Sequence, residues 1–539
     1  MLAFAAILAL AASAAASSVV VSTPLGPVEG TRTGNVDVFR GIPYAQPPVG
    51  ALRWRATEPV KAWGPNPLVA NTDAPGCPQK CELPPHTCPP TVSEDCLFLN
   101  VFAPAGATNA PVMVWIHGGN FKQGYPGGLL YNGSSLADTQ GVIVVSIAYR
   151  LGVLGWLYTG GGSIEGMYGA LDQQEAMRWV RSNIASFGGD PSSITLVGQS
   201  AGAMSVATHM TLPSSDGLFE RGILESDPFT SPFRTPDEYI KVSAALGKQA
   251  GCAQTSGAAL DACLRNLTAD ALVDAQVEVE KDVAVNLPHV LEAFLPWTPV
   301  VDPSANGSIP ALELQPRVAF STGQAQQKPM IVGTVANEAV LFIYEAFEKP
   351  LAELEYAAYL AVVFGLGDAL EVSARYPLPE SDKADGRAWL AHIGTKALFK
   401  CPTRNASMGF SRTSPTWVYH FDHVMSFSKE VWGPDFKICW DEVCHAEELA
   451  FVFHPDASRL NLTFTQDELV LSADMESYWG SFIRTGNPNA KGSTATVWPE
   501  FNSNTQQTML LQTPKSAVQS HNLTSECDWW DSKIGYDFP

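Results

Sequence analysis

Short, uninterrupted runs of apolar residues recur along the chain between longer segments of mixed polarity. Continuous runs of this length are typical of strands that are covered on both faces of a parallel sheet. Such strands are predicted at residues 112–116, 142–149, 194–197, 330–335 and 417–421. Residues 170–184, between two of these runs, have helical spacing. The alternation predicts an α/β protein with a large, mostly parallel central sheet flanked by helices.

The same pattern contains no internal repeat and no flexible linker. A composition of 46% hydrophobic and 16% charged residues over 539 positions describes a globular protein with a large core. The most proline-rich segment, Pro75–Pro90, carries three cysteines. We interpret this segment as a stapled surface loop and not as a hinge between domains.

The charge balance disfavours two classes of partner. The chain has 33 Lys and Arg residues against 54 Asp and Glu residues, a formal net charge of -21. A surface this acidic repels phosphate backbones and anionic lipid. We therefore expect no nucleic-acid partner and no binding to a membrane surface.

The first residues form an uncharged, Ala-rich apolar run that ends in the small-residue pattern Ala14–Ala16. This pattern predicts a secretory signal peptide over residues 1–16, cleaved near Ala16, and hence a secreted protein. A membrane anchor is the alternative, but spanning needs about 20 apolar residues. No later segment is predicted to cross a membrane, so no stable membrane insertion is expected.

Secretion changes the interpretation of the cysteines. The chain has ten, and an even number in an oxidising compartment indicates disulfides. Six Asn-x-Ser/Thr sequons agree with the secretory route and are predicted glycosylation sites. They are Asn132, Asn266, Asn306, Asn405, Asn461 and Asn522.

Residues 198–202, Gly-Gln-Ser-Ala-Gly, follow the predicted strand 194–197 and precede a helical segment. A nucleophile on a sharp strand-to-helix turn has a strained backbone, and side chains two residues away on either side would collide. Glycine at both positions meets this demand and predicts Ser200 as the nucleophile. The N-terminus of the following helix carries a partial positive charge and points towards the negative charge that develops in the transition state. A simple β-turn is the alternative, and the strand–turn–helix context disfavours it.

This segment resembles the active-serine signature of type-B carboxylesterases, the family that includes cholinesterases and some fungal lipases. Their second signature is similar to Glu94–Pro104, and further similar blocks begin at Phe39, Asp172 and Tyr478. The resemblance implies an α/β-hydrolase fold with a single domain over residues 17–539. It also implies hydrolysis of carboxylic esters through an acyl-enzyme intermediate, without a cofactor.

A His-Gly-Gly-Asn segment follows the predicted strand 112–116. Ester hydrolysis builds a tetrahedral oxyanion, and losing one backbone donor to it typically costs about 3–4 kcal/mol of barrier. The resemblance implies that Gly119, Asn120 and Ala201 supply these N–H groups. Asn120 departs from the family, where Gly or Ala is usual, and its side chain is expected to narrow or polarise the pocket. His117 is interpreted as structural.

A serine nucleophile needs a general base, and the base needs an acid. In this fold the order along the chain is serine, acid, histidine, which disfavours His209 and favours a later histidine. The segment CHAEELAFVF resembles the catalytic-histidine block of the family and implies His445 as the base. GTVANEAVLF resembles the acid block and implies Glu338. Asp441 and Glu442 are rivals, but they are too near His445 in sequence to reach its far ring nitrogen.

The segment CWDEVCHAEEL, residues 439–449, also raises the alternative of a metal site. Zinc sites usually combine two ligands that are two to four residues apart with a second pair of ligands elsewhere in the chain. Cys439 and Cys444 are five positions apart. We favour a disulfide between them that stiffens the approach to His445, and we predict no metal.

The resemblance extends to the cysteine pairs. It implies the pairs Cys77–Cys96, Cys252–Cys263 and Cys401–Cys527. The four remaining cysteines are then expected to form the pairs Cys81–Cys88 and Cys439–Cys444.

Two departures from the family bear on the substrate. Cholinesterases bind a quaternary ammonium with aromatic faces, including a Trp in the loop that corresponds to residues 77–96. That loop has no aromatic residue here, and Gln199 stands where cholinesterases carry glutamate. Both departures argue against choline esters.

Asp227, where the family usually has glycine, is a third departure. The expected substrate is a small-molecule or lipid ester, and no oligomeric state follows from the sequence.

Two other functions are compatible with the scaffold. A lipase acts on longer acyl chains, and the stapled loop at residues 77–96 is a candidate lid. A catalytically silent binding or adhesion protein lacks a triad member, whereas this chain keeps all three. For a hydrolase, activity is expected to decline in acid as the imidazole of His445 is protonated.

Overall fold

The structure is a computed structural model of the chain. It describes residues 17–253, 256–286, 295–305 and 309–537. The signal peptide predicted at residues 1–16 and the sequon at Asn306 lie outside the described residues.

In these described residues, one sheet of 13 strands crosses the molecule. The strands are β1 Ser17–Thr23, β2 Gly26–Thr33, β3 Val36–Pro43, β4 Leu68–Val69, β5 Phe98–Pro104, β6 Ala110–Ile116, β7 Ile143–Ile147, β8 Gly189–Gln199, β9 Arg221–Glu225, β10 Met330–Val335, β11 Thr416–Phe421, β12 Gln507–Leu511 and β13 Ala517–Ser520. Their spatial order is β1-β2-β3-β5-β7-β6-β8-β9-β10-β11-β12-β13, with β4 beside β2.

The centre of the sheet is parallel and its margins are antiparallel. From β7 through β6, β8, β9, β10 and β11 to β12, each strand runs parallel to the next one in this order. β1, β2, β3, β5 and β13 join antiparallel. The apolar runs of the sequence correspond to β6, β7, β8, β10 and β11, so the predicted parallel sheet is confirmed. Because the carboxyl ends of parallel strands meet at one edge, the loops after β6, β8 and β10 lie close together.

Both faces of this parallel centre are covered. On β6, Val112, Val114 and Ile116 pack into one hydrophobic cluster, whereas Met113 and Trp115 pack into another. Successive side chains of a strand point to opposite faces, so a strand covered on both sides needs apolar residues at every position. This is the physical reason for the uninterrupted apolar runs.

Helices cover the two faces. They are α1 Ser134–Gln140, α2 Gly152–Trp156, α3 Tyr168–Asn183, α4 Ala201–Thr211, α5 Pro236–Gln249, α6 Gly257–Arg265, α7 Ala269–Asn286, α8 Pro316–Ser321, α9 Val340–Ala346, α10 Glu353–Arg375, α11 Arg387–Gly394, α12 Cys401–Phe410, α13 Ser428–Trp432, α14 Leu449–Val452, α15 Ala457–Leu460, α16 Gln466–Thr485 and α17 Thr524–Trp529. Short 3₁₀ turns lie at Gly50–Leu52, Leu129–Tyr131, Ile184–Phe187, Pro213–Ser215, Glu380–Asp382 and Pro434–Trp440, and π-helical segments at Thr395–Lys400 and Trp530–Ile534.

The predicted helix at residues 170–184 is α3. Its buried Asp172 accepts hydrogen bonds from Nε and Nη2 of Arg150, each at 2.8 Å. Arg150 follows β7, so this bidentate ion pair ties α3 to the end of a central strand.

Helix α10 was not anticipated from the sequence. Among the described residues it is the one helix with the length and apolar composition of a membrane span. Tyr356, Leu360 and Phe364 bury one side of it in a cluster that includes the Cys401–Cys527 disulfide. The other side is largely exposed, and the backbone is non-helical at Gly365.

All ten cysteines lie in the described part of the chain, and none is free. Their pairs are Cys77–Cys96, Cys81–Cys88, Cys252–Cys263, Cys401–Cys527 and Cys439–Cys444. These are the pairs expected above. Because Cys439 and Cys444 bond to each other, the metal alternative for residues 439–449 loses its two thiolate ligands.

The sequons in the described chain differ in exposure. Asn266, Asn461 and Asn522 are exposed, whereas Asn132 and Asn405 are half-buried. The amide of Asn405 also donates to Asp531 at 3.2 Å.

Candidate active site

The turn at Ser200 has the strained geometry that its glycines predicted. β8 ends and α4 begins on either side of this residue, whose φ is 58° and ψ is -125°. A Cβ added to Gly198 would lie 2.3 Å from the carbonyl oxygen of Gly202. One added to Gly202 would lie 2.0 Å from the carbonyl oxygen of Ile116. Both flanking positions therefore exclude any side chain.

Glu338 and His445, far apart in sequence, are in direct contact. Nδ1 of His445 lies 2.6 Å from Oε2 of Glu338. The other carboxylate oxygen, Oε1, accepts the N–H of Val335 at 2.8 Å. Glu338 is fully buried and His445 is 5% exposed. A carboxylate at Nδ1 favours the tautomer with its proton on that nitrogen, which leaves Nε2 as an acceptor.

Two hydrogen bonds join the loop after β10 to the loop closed by the Cys439–Cys444 disulfide, and this bridge brings Glu338 and His445 into contact. The N–H of Asn337 donates to the carbonyl of Val443 at 3.0 Å. In return, the N–H of Val443 donates to the side-chain oxygen of Asn337 at 3.3 Å. Val443 lies inside the loop that the Cys439–Cys444 disulfide closes, so this disulfide and the bridge together fix the residue before His445.

Two aromatic rings support the imidazole. The ring centroid of Phe342, on α9, lies 4.9 Å from that of His445, and the ring of Phe399 lies 5.4 Å away. Phe399 belongs to the π-helical segment Thr395–Lys400, and such segments are frequent at functional sites. Neither ring was predicted from the sequence, because no local pattern marks a helical residue that tertiary packing brings to the site.

Gln199 makes an unanticipated contact. Its side-chain amide nitrogen lies 3.0 Å from Nε2 of His445. Among the described residues this is the hydrogen bond at Nε2, and none joins Nε2 to Ser200. Catalytic hydrogen bonds are often long or absent without substrate and tighten when substrate binds. Both Ser200 and His445 line the same cavity.

The segment after β6 lies against the serine because β6 and β8 are neighbours in the sheet. A Cβ on Gly118 would lie 3.0 Å from Cβ of Ser200. Asn120 has a φ of 53° and lines the cavities on both sides of Ser200. Ala201 is the first residue of α4, and its N–H is among those that no carbonyl of the helix accepts.

His117 and His209 are held by structural contacts. His117 hydrogen-bonds the neighbouring carbonyl at 2.8 Å and stacks on Tyr149 with centroids 4.6 Å apart. His209 bonds Ser215 at 2.8 Å and Gln173 at 2.9 Å. Burial lowers the pKa of His117 to about 4 and that of His209 to about 3. Both rings are therefore neutral at physiological pH.

Two cavities meet at Ser200 and share Asn120 and Phe342. The first has about 970 Å³ of empty space, part of it open to solvent. Apolar side chains of α9, α10, α11 and the π-helical segment form most of its wall, among them Val363 and Phe399. Its chemistry suits a hydrocarbon chain.

The second cavity has about 840 Å³ and contains His445. The stapled loop contributes Glu82, Leu83, Pro84 and Thr87 to its wall, and burial raises the pKa of Glu345 in the same wall to about 7. Tyr131, Trp432 and Phe436 also line it. The stapled loop lacks aromatic residues, as the sequence shows, but other segments supply aromatic faces that the sequence analysis missed.

Buried carboxyl groups lie behind the serine. The carbonyl of Glu225 accepts the N–H of Ser200 at 2.9 Å, and its side chain accepts from Trp479 at 2.7 Å. Burial raises the pKa values of Glu225, Glu448 and Asp227. Oδ2 of Asp227 has no hydrogen-bond partner among the described residues, and nothing in the structure explains the acid at this position.

The comparisons with known proteins agree with this geometry. The sequence profile of the carboxylesterase family matches residues 17–530. The chain belongs to the carboxylesterase family. It is therefore a carboxylic-ester hydrolase with the α/β-hydrolase fold.

Several relatives are similar to this carboxylesterase over nearly their whole length. The cAMP-regulated D2 protein of Dictyostelium discoideum is 35% identical over 520 residues, which cover 95% of this chain and 92% of the relative. The para-nitrobenzyl esterase of Bacillus subtilis is 35% identical over 505 residues, with 91% and 94% covered. A solved thermophilic para-nitrobenzyl esterase has a TM-score of 0.79 and 30% identity, covering 94% of this chain and 99% of that one.

The structure brings the predicted site residues to one edge of the sheet. Ser200, Gly119, Asn120 and His445 line one cavity, and Glu338 contacts His445 from behind. Asp441 is exposed and Glu442 half-buried in the disulfide loop, and neither is hydrogen-bonded to His445 in the described chain.

Proposed function

We propose that this carboxylesterase cleaves its ester through an acyl-enzyme intermediate, with Ser200 as nucleophile, His445 as general base and Glu338 as the acid of the triad. The contact between Glu338 and Nδ1 of His445 carries this proposal. It leaves the lone pair of Nε2 directed into the cavity that Ser200 lines. The substrate is a small-molecule ester, as the name of the para-nitrobenzyl esterase relative also suggests.

Acylation begins when the hydroxyl of Ser200 replaces the Gln199 amide at Nε2 of His445. The serine oxygen attacks the ester carbonyl while its proton moves to Nε2. The N–H groups of Gly119, Asn120 and Ala201 stabilise the negative oxygen of the tetrahedral intermediate. The bond to the alcohol then breaks, and the alcohol oxygen takes the proton from Nε2.

Deacylation repeats the steps with water. Nε2 of His445 accepts a proton from the water, whose oxygen attacks the acyl carbonyl. The bond to Ser200 breaks, the serine recovers its proton from Nε2, and the carboxylic acid leaves. Glu338 stabilises the imidazolium in both halves without accepting its proton.

Covalent labelling tests the nucleophile. An organophosphate is expected to add one phosphoryl group to the protein, on the peptide that contains Ser200, and to abolish hydrolysis of p-nitrophenyl acetate. Ser200→Ala should neither hydrolyse the ester nor take the label. Label on another residue, or turnover by Ser200→Ala, would contradict the proposal. If the parent takes no label and shows no turnover, the alternative of a silent binding or adhesion protein is favoured instead.

A second candidate function is a lipase that acts on longer acyl chains. The apolar wall of the first cavity favours it, since burial of each methylene contributes roughly 0.8 kcal/mol. Turnover of p-nitrophenyl esters with two to sixteen carbons separates the two. A lipase is expected to show a kcat/KM that rises with chain length, and an esterase for small substrates the reverse.

We also infer that the protein is secreted. The five disulfides and the exposed sequons at Asn266, Asn461 and Asn522 support this inference. Protein recovered from the medium should begin near Ser17 and carry N-glycans at these asparagines. Recovery only inside cells, with residues 1–16 intact, would contradict it.

A further inference from the structure

Helix α10 exposes a stripe of apolar residues. Leu354, Val362, Leu366 and Leu370 are 83%, 50%, 79% and 74% exposed, and Ala358 between them is exposed as well. Leu354, Ala358 and Val362 are four residues apart before the break at Gly365, and Leu366 and Leu370 are four apart after it, so each group lies along one side of its own half of α10. Contiguous exposed apolar surface is unusual on a soluble protein and marks a site of interaction. We call these five residues the α10 stripe.

The helix cannot leave the fold to cross a membrane without losing its core contacts. Tyr356, Leu360, Phe364 and Val372 are buried on its other side. A helix that is apolar on one side and anchored on the other is suited to lie on an interface instead.

The charges near the stripe decide which interface. Residues 356–367 contain no charged side chain, and the nearest charged residues before and after this run are the acids Glu355 and Asp368. An interfacial helix for anionic lipid carries Lys and Arg on its polar face. The net charge of -21 also repels an anionic lipid surface. This repulsion acts on anionic lipid and is absent at the surface of uncharged lipid.

The same helix forms part of the ester-binding cavity. Tyr359, Val363 and Phe364 line the apolar cavity that reaches Ser200. Tyr359 is also 36% exposed, so the wall of the cavity continues to the surface next to the α10 stripe. A lipid aggregate on the stripe would therefore lie beside the cavity.

We propose that the α10 stripe docks this enzyme on an electrically neutral lipid surface and so delivers esters with long hydrocarbon chains to the cavity at Ser200. The choice of substrate rests on the second candidate function proposed above, a lipase, whereas docking itself is a binding event that is measured without catalysis. An acyl chain that passes from lipid to the apolar cavity along α10 avoids exposure to water, and this lowers the cost of extraction.

The test is co-flotation of the full chain with phosphatidylcholine vesicles, using Ser200→Ala protein to remove hydrolysis. We expect binding that falls at least roughly tenfold in Leu366→Glu, because a charge replaces a leucine that the lipid would bury. Val497→Glu is the matched control: Val497 is 73% exposed and away from α10, and its variant should bind like the parent. Replacing a third of the lipid with phosphatidylserine should weaken binding.

Protein integrity is measured in the same proteins with Ser200 restored. Turnover of soluble p-nitrophenyl acetate and the Tm should be unchanged by Leu366→Glu, since this side chain lies outside the cavity wall. If this variant fails to fold, Leu370→Glu replaces it. Hydrolysis of a long-chain ester presented in phosphatidylcholine vesicles should fall in parallel with binding.

Absent binding, equal binding by Leu366→Glu, or stronger binding to phosphatidylserine vesicles would overturn the proposal. So would sedimentation of the parent as a dimer that Leu366→Glu dissociates, with no vesicle binding, because a second copy would then cover the stripe. Vesicle binding without any Ser200-dependent hydrolysis would leave docking supported and would refute the proposed function instead.

Discussion

Each oxygen of Glu338 has a separate task. One oxygen accepts the N–H of Val335, which fixes the carboxylate, and the other contacts Nδ1 of His445. The burial of the pair strengthens this contact, since little water competes for the charges. The orientation of the imidazole thus depends on a single carboxylate oxygen.

We predict that Glu338→Gln lowers kcat for a soluble p-nitrophenyl ester by roughly 10³–10⁴-fold. A glutamine preserves the shape but neither fixes the Nδ1–H tautomer nor stabilises the imidazolium. Glu442→Gln, which changes the same kind of group in the adjacent disulfide loop, should change kcat less than twofold. Similar losses in the two variants, at unchanged Tm, would contradict the assignment of the acid.

Gln199 controls the electrostatics at the other ring nitrogen. Its amide lies 3.0 Å from Nε2 of His445, and an amide carries no charge. A carboxylate at this distance would favour the imidazolium and raise the pKa of the ring.

We predict that Gln199→Glu moves the acidic limb of the kcat/KM profile to higher pH by about one unit. Activity in mild acid is then lost earlier, because more of the base is already protonated. Gln199→Met, which removes the amide without adding charge, should leave the limb where it is. A limb that stays in place or moves to lower pH in Gln199→Glu would show that this side chain does not act on His445.

At the scale of elements, the disulfide loop Cys439–Cys444 and the loop after β10 act as one unit. Asn337 bonds to Val443 within that loop, and His445 follows directly. The bridge joins loops from distant parts of the chain, so His445 and Glu338 meet only when both loops have folded.

We predict that the double variant Cys439→Ser/Cys444→Ser lowers kcat more than it raises KM, because His445 is held less firmly. The loss of unfolding free energy should be only about 2 kcal/mol, since the closed loop is short. Cys252→Ser/Cys263→Ser is the control. It opens a comparably short loop remote from His445, and should lose similar stability with kcat unchanged. Equal kcat in both variants would contradict the positioning role.

Whole-molecule stability is set partly by buried acids. Burial raises the pKa of Glu447 to about 8, even though Trp432 donates to its carboxylate at 2.8 Å. The pKa values of Glu225 and Glu448 are raised by the same cause. The folded protein therefore holds protons that the unfolded chain releases above pH 4.5, the ordinary value for a glutamate.

We predict that stability declines between pH 5 and pH 9. A raised folded-state pKa gives a contribution that is complete below about pH 4.5 and is lost as the pH rises through about 8. Glu447→Gln cannot ionise and should flatten this decline, which is measured as Tm against pH. Glu442→Gln, in a half-buried position, should alter the slope less. A slope that Glu447→Gln leaves unchanged would contradict the role of this acid.

The amino-acid pattern by itself predicted the parallel centre of the sheet and the turn at Ser200. β6, β7, β8, β10 and β11 are covered on both faces, so most of their central positions are apolar and the signal is local. The glycines around Ser200 are also a local demand, since the collisions they avoid involve nearby backbone. The marginal strands gave no comparable signal: β13 is mostly exposed, and β2 is half-exposed and polar.

Only the tertiary structure decided which side chains surround the reacting atoms. The resemblance to a family implied Glu338 and His445, but their contact arises from a bridge between two distant loops. Phe399 and the aromatic wall of the second cavity also come from distant segments, and the amide of Gln199 meets His445 only because the chain brings that histidine to the end of β8. The α10 stripe was also hidden in the sequence, because residues 356–367 contain no charged side chain and so do not reveal which side of the helix will be buried. Packing against the Cys401–Cys527 cluster makes that choice, and it leaves the other side in contact with solvent.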